Sequence, residues 1–214
     1  MKNSVKQIIK ILDSEYPNAK SALKYQTPLQ MLIATILSAQ TTDERVNMVT
    51  PGLFKKYRTV DQFAKAPVED IQNEIRSVNY YKTKGKNIKT LSQLLLKNFQ
   101  GQVPDSMEEL ITLPGVARKT ANVVLGEAFG KTEGFVVDTH VKRLSFRLGL
   151  TEETKPEKIE VDLMELIPQK HWIDFSMQLI LHGRKVCIAR NPKCHICKLD
   201  TLCPYFKNTL KTQK

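Results

Sequence analysis

Leu113-Pro114-Gly115-Val116-Ala117-Arg118-Lys119-Thr120-Ala121 is the stretch whose reading decides the fold. Just before it, Ser106-Met107-Glu108-Glu109 is a capping box that starts a short helix. Pro114-Gly115 then makes a tight turn, and a new helix begins near Arg118. The first N–H groups of a helix have no intrahelical partner, so such a start favours an anion. Gly115 lets that anion approach the backbone with no side chain in the way. A helix–hairpin–helix element grips one DNA phosphate like this. A plain helix–helix turn carries the same local signature, so the stretch alone leaves both open.

Outward from the hairpin, helical periodicity runs almost throughout. Upstream, Val5, Ile8, Ile9, Leu12 and Tyr16 share one helical face, which Pro17-Asn18 ends. Thr27-Pro28-Leu29-Gln30 supplies an N-cap, a first-turn proline and a capping-box partner. The helix that follows, through Leu32, Ile33, Ile36 and Leu37, is apolar almost all round and therefore expected to be central. Asp43 is expected to cap the next, which runs towards Tyr57. Val68, Ile71, Ile75 and Val78 form another stripe; Ile88, Leu91, Leu95 and Phe99 form one more, closed by Gly101. Downstream, a helix through Val124 and Phe129 ends at Gly130, and one introduced by Asp138 ends at Gly149. Ile159, Leu163 and Leu166 mark a late helix, and Trp172, Phe175 and Leu179 the last, expected to stop at Gly183. No run has period two. The expected class is all-α, with a frayed polar tail after Phe206.

The chain has 214 residues, enough for one large core or two small domains, and 41% are hydrophobic, which argues against disorder. No run of eighteen apolar residues suggests a membrane span, and residues 1–10 lack the apolar block of a signal peptide. A soluble, intracellular protein is expected. The 33 Lys and Arg against 22 Asp and Glu give +11, which suits a polyanionic partner without requiring one. All four cysteines fall between Cys187 and Cys203, with six, two and five residues between them. Disulfides usually close longer loops, so the crowding points to a metal. Spacing alone leaves zinc and an iron–sulfur cluster both open.

Four segments together resemble the endonuclease III family of helix–hairpin–helix DNA glycosylases. They are Leu37-Ser38-Ala39-Gln40-Thr41-Thr42-Asp43, the hairpin and helix from Leu113 to Phe129, Val137-Asp138-Thr139-His140-Val141-Lys142-Arg143, and the cysteines Cys187, Cys194, Cys197 and Cys203. They span nearly the whole chain, in order. The resemblance implies a bifunctional DNA glycosylase and AP lyase that acts on oxidised pyrimidines and abasic sites in double-stranded DNA. It implies that Lys119 attacks C1′ of the deoxyribose and that Asp138 is the catalytic carboxylate. A lysine amine attacks only when neutral, a form that burial and a positive helix end both favour. Periodicity by itself sets Lys119 off the apolar stripe of its helix, in line with Asn122 and Gly126, where a solvated lysine would also stand.

The same resemblance implies a base swung out of the duplex, with Gln40 filling the gap and a wedge within residues 79–82. Tyr80 stands there in place of the commoner leucine, and an aromatic ring can stack between bases. Ala117 stands where the family more often has glycine, which adds a methyl group at the phosphate turn beside Gly115. His140, Arg143, Arg190 and Lys193 are further candidate DNA contacts. The four cysteines are implied to hold a structural 4Fe–4S cluster. The implied architecture has two lobes, a six-helix barrel over residues 22–132 and a cluster lobe built from 1–21 and 133–214, with DNA in the cleft between. The implied protein is a cytoplasmic monomer, nucleoid-associated if bacterial. Lys119, and an early helix from Gln30 to Gln40 without glutamate, separate the chain from the adenine glycosylase branch. A DNA-binding protein without catalysis would need the hairpin but neither Lys119 nor Asp138.

Overall fold

The computed structural model describes residues 2–207; the tail read as frayed lies, beyond Lys207, outside the described residues. Eleven α-helices are found among the described residues: α1 (Lys2–Glu15), α2 (Pro28–Ser38), α3 (Asp43–Lys56), α4 (Val60–Lys65), α5 (Val68–Glu74), α6 (Tyr81–Phe99), α7 (Met107–Leu110), α8 (Arg118–Phe129), α9 (Thr139–Arg147), α10 (Pro156–Leu166) and α11 (Trp172–Lys185). No strand occurs among them, so the chain is all-α. The helices fall into two compact units.

The first unit is residues 21–133. It holds six longer helices, α2–α6 and α8, and the single turn α7 that leads into the hairpin. α2 is buried at every position from Met31 to Leu37, as its all-round apolar pattern requires, and packs against α3, α6 and α8. Thr27 caps it by accepting a bond from Gln30 N, while the Gln30 side chain reaches one residue further back than expected, to Gln26 N. α3 corrects an expectation: Thr42, not Asp43, is its N-cap, because the Thr42 hydroxyl accepts from Arg45 N. Asp43 becomes the first helical residue, where its charge still suits the positive helix end. α6 packs on α4 and α5, and at Gly85 the approach is so close that a Cβ would lie 2.6 Å from Gln72 Cγ.

The second unit joins residues 1–20 to 134–214, within which α1 and α9 both pack on α11. Tyr16 follows α1 and donates or accepts a 3.0 Å hydrogen bond at His182 Nδ1. Residues 135–137 are buried without forming a strand, and Val136 N donates to Ser176 Oγ. α11 does not stop at Gly183 but runs on to Lys185. Glycine is poor in helix interiors, which is why it reads as a terminator. Here its missing side chain makes room: a Cβ at Gly183 would sit 2.9 Å from both Cβ and Nδ1 of His140 on α9.

Candidate active site and cysteine centre

The hairpin is built as its sequence directs. Ser106 caps α7 through Glu109 N, although Glu109 bonds the Ser106 hydroxyl instead of the backbone amide that a full capping box engages. Val116 N then closes the turn onto Leu113 O. Gly115 has φ +83°, a left-handed conformation, and a Cβ there would meet Asn87 Nδ2 of α6 at 2.8 Å. Ala117 is the N-cap of α8 and contributes no side-chain cap, so the helix start is left to other acceptors. Gly115→Ala meets both obstacles at once. It is expected to lower stability by roughly 1–3 kcal/mol and to weaken duplex binding; melting and a binding titration check both.

Lys119 is the second residue of α8 and is exposed; the helix buries Ala121, Val124 and Leu125, and also Asn122, which periodicity sets in line with Lys119 off the stripe. Its own unit therefore does not bury the amine. Asp138, half-buried, is the N-cap of α9; its Oδ1 accepts from His140 N and Val141 N, both at 2.8 Å. The carboxylate is thus fixed in orientation at a positive helix end. Burial lowers the imidazole of His140, and the neighbouring Asp138 carboxylate partly offsets this. Arg143 spends its guanidinium inside the unit, on Gly183 O and Cys187 O, with Nη2 also 3.1 Å from His140 Nδ1. Its place in the structure is a brace between α9 and the segment after α11. Arg190 and Lys193 are exposed.

Gln40 and Tyr80 share an unusual trait. Both are exposed non-glycine residues in the left-handed region, at φ 55° and 58°, each costing on the order of 1 kcal/mol. They are also tied together: Asn79 Nδ2 donates to Gln40 O at 2.5 Å, and Asn79 N donates to Thr41 Oγ1. Tyr80 is 64% exposed at the start of α6. With that exposure Tyr80 is no part of the core.

Lys84 gave no signal in the sequence. Only 5% exposed, it donates to Leu37 O at 2.8 Å, Ala39 O at 2.6 Å and Thr41 Oγ1 at 3.2 Å. Burial pushes its amine down to about 8, while the three oxygens around it favour keeping the proton.

Cys187, Cys194, Cys197 and Cys203 all line one cavity, together with Arg147, His182 and Tyr205, and none is in a disulfide. Among the described residues no three His, Cys, Asp or Glu side chains form a group able to hold a single metal ion. Burial pushes the Cys197 thiol up to about 11, and the other three cysteines add to the rise. Cys194 and Cys203 are raised for the same leading reason. Positive charge nearby favours their thiolate forms. Arg147 supplies some, donating to Cys187 Sγ at 3.2 Å and to Ile188 O and Ala189 O, with its guanidinium over the Tyr205 ring. His182 Nε2 lies 3.4 Å from Cys197 Sγ. No helix of the described residues is long and apolar enough to cross a membrane.

Residues 33–169 match the family model of the HhH-GPD superfamily base excision DNA repair protein. Endonuclease III of Synechocystis sp. is 54% identical over 203 residues, 95% of this chain and 93% of that protein. Endonuclease III of Escherichia coli is 37% identical over 199 residues, 93% of this chain and 94% of that protein. Among solved structures, a trapped Endonuclease III–DNA covalent intermediate superposes with a TM-score of 0.92 at 39% identity, covering 98% of this chain and 99% of the other. A non-covalent Endonuclease III–DNA complex gives the same TM-score and identity, covering 99% of both chains.

Proposed function

Because the chain belongs to the HhH-GPD superfamily and, within it, to the endonuclease III family, we propose that Lys119 and Asp138 carry its chemistry on oxidised pyrimidines and abasic sites. The protein is a DNA glycosylase with AP lyase activity, a bifunctional enzyme of base-excision repair. The observation that carries the residue assignment is the likeness to a covalently trapped enzyme–DNA complex, which requires a nucleophile, together with a lysine in the first turn after the hairpin.

In this scheme the Gly115 turn and the uncapped start of α8 hold a phosphate of duplex DNA. Gln40 and Tyr80 enter the space of the extruded base. The lone pair of Lys119 Nζ forms a bond to C1′. The glycosidic bond breaks, and the base leaves with its electrons and takes up a proton. Asp138, held by its two cap bonds, offsets the positive charge that develops on the sugar. The ring opens to a protonated Schiff base, a proton is lost from C2′, and the 3′ phosphate departs as the strand breaks. Since Lys119 is exposed, bound DNA supplies the dry surroundings its neutral form needs.

Cys187, Cys194, Cys197 and Cys203, which line one cavity, would hold a 4Fe–4S cluster, whose usual ligand set is four cysteine thiolates. When bound it supplies a rigid structural anchor for the segment that bears Arg190 and Lys193, exposed where phosphates can meet them. The two compact units correspond, on this reading, to a barrel domain and a cluster domain. The enzyme works as a cytoplasmic monomer.

A panel of duplexes, each with one lesion, tests the assignment when base loss and nicking are scored separately on iron-replete protein. Nicking at oxidised pyrimidines and abasic sites, with intact uracil and 8-oxoguanine controls, is the expected pattern. Duplex binding without either product would defeat it.

A further inference from the structure

We propose that Lys84 is a positioning residue for base extrusion: it clips the end of α2 to the start of α6, so that Gln40 and Tyr80 meet the duplex as one rigid pair. This rests on the reading of those two side chains as the ones that enter DNA. The last carbonyls of a helix lack intrahelical partners and carry partial negative charge. At the end of α2, Leu37 O and Ala39 O lie on either side of the turn that leads into Gln40, and Lys84 Nζ bonds both. The third bond, to Thr41 Oγ1, fixes the residue after Gln40.

At its other end Lys84 is anchored where Tyr80 sits. Lys84 N donates to Tyr80 O, closing the first turn of α6 with Tyr80 as the left-handed N-cap. Asn79, next to Tyr80, adds a second tie to the same loop, through Gln40 O and Thr41 Oγ1. Two strained, exposed side chains thus stand on backbones cross-linked by one buried ammonium and one amide. Non-glycine residues persist in the left-handed region only where their surroundings over-determine them, and such strain gathers at functional positions. Among the buried residues of this unit Lys84 alone carries a charge.

Extrusion is read with a duplex that bears a tetrahydrofuran abasic analogue opposite 2-aminopurine, whose fluorescence changes when the orphan base is displaced. The analogue cannot be cleaved, so the signal is taken at saturating protein. Lys84→Met should give less than about half the wild-type change, while borohydride trapping on a single-stranded abasic oligonucleotide, which needs no wedge, stays within about twofold. Lys84→Arg, which keeps a charged donor, should recover part of the signal. Full fluorescence change in Lys84→Met overturns the proposal. So does a parallel loss of signal and single-strand trapping, since that reports general damage to the fold. If Lys84→Met does not fold, Thr41→Val decides: it removes the acceptor shared by Lys84 and Asn79 at a half-buried site, and an undiminished signal rejects the clip. Gln40→Ala and Tyr80→Ala run alongside. If neither lowers the signal, the wedge reading itself fails; if they do and Lys84→Met does not, only the clip fails.

Discussion

Lys119→Gln is expected to abolish borohydride trapping on abasic duplex DNA and to slow strand scission by roughly 10³-fold or more. The reasoning starts from what the substitution leaves alone. Lys119 is exposed on α8 and belongs to none of the buried contacts of that helix. Glutamine is nearly as good a helix former, so melting should hardly move. One positive charge near a phosphate is lost, which should weaken binding by a few-fold at moderate salt. What disappears entirely is a primary amine able to form a Schiff base. A covalent adduct that survives in Lys119→Gln would take this residue out of the mechanism.

Asp138→Asn separates a structural from a chemical role. Asparagine is as good an N-cap as aspartate, so the bonds to His140 N and Val141 N should persist and stability should change by less than about 1 kcal/mol. The negative charge is gone, and with it the stabilisation of a cationic sugar. Base release in single-turnover conditions should fall by about 10²–10⁴-fold, whereas trapping at a preformed abasic site should fall less. Asp138→Ala adds loss of the cap, costing about 1 kcal/mol more. Wild-type rates in Asp138→Asn with poor rates only in Asp138→Ala would show that the carboxylate merely caps α9.

The hairpin turn before Lys119 and the cap at Asp138 were legible as local signals, whereas the roles proposed for the two side chains come from the family resemblance. The helices were equally readable, since α2 is buried on all sides and its pattern says so. Features set by tertiary contact were not. Gly183 looks like a helix stop, and only the closeness of His140 explains why it sits inside α11. Lys84 lies among Lys82, Lys86 and Lys89 in a polar stretch, where burial of one lysine has no local cue. The left-handed backbones of Gln40 and Tyr80 carry no glycine or asparagine to announce them. Thr42 and Asp43 are both good caps, and the choice between them is made by geometry.

The way the two compact units share the chain has a consequence for synthesis. Residues 21–133 are contiguous, so that unit has all its partners as soon as it clears the ribosome. The first helix is made earlier but belongs with the last: Tyr16 meets His182 across 166 residues. During translation its apolar face, with Val5, Ile8, Ile9 and Leu12, waits for α11 and the end of α10 to cover it. A helix made late is therefore the one on which α1 comes to rest.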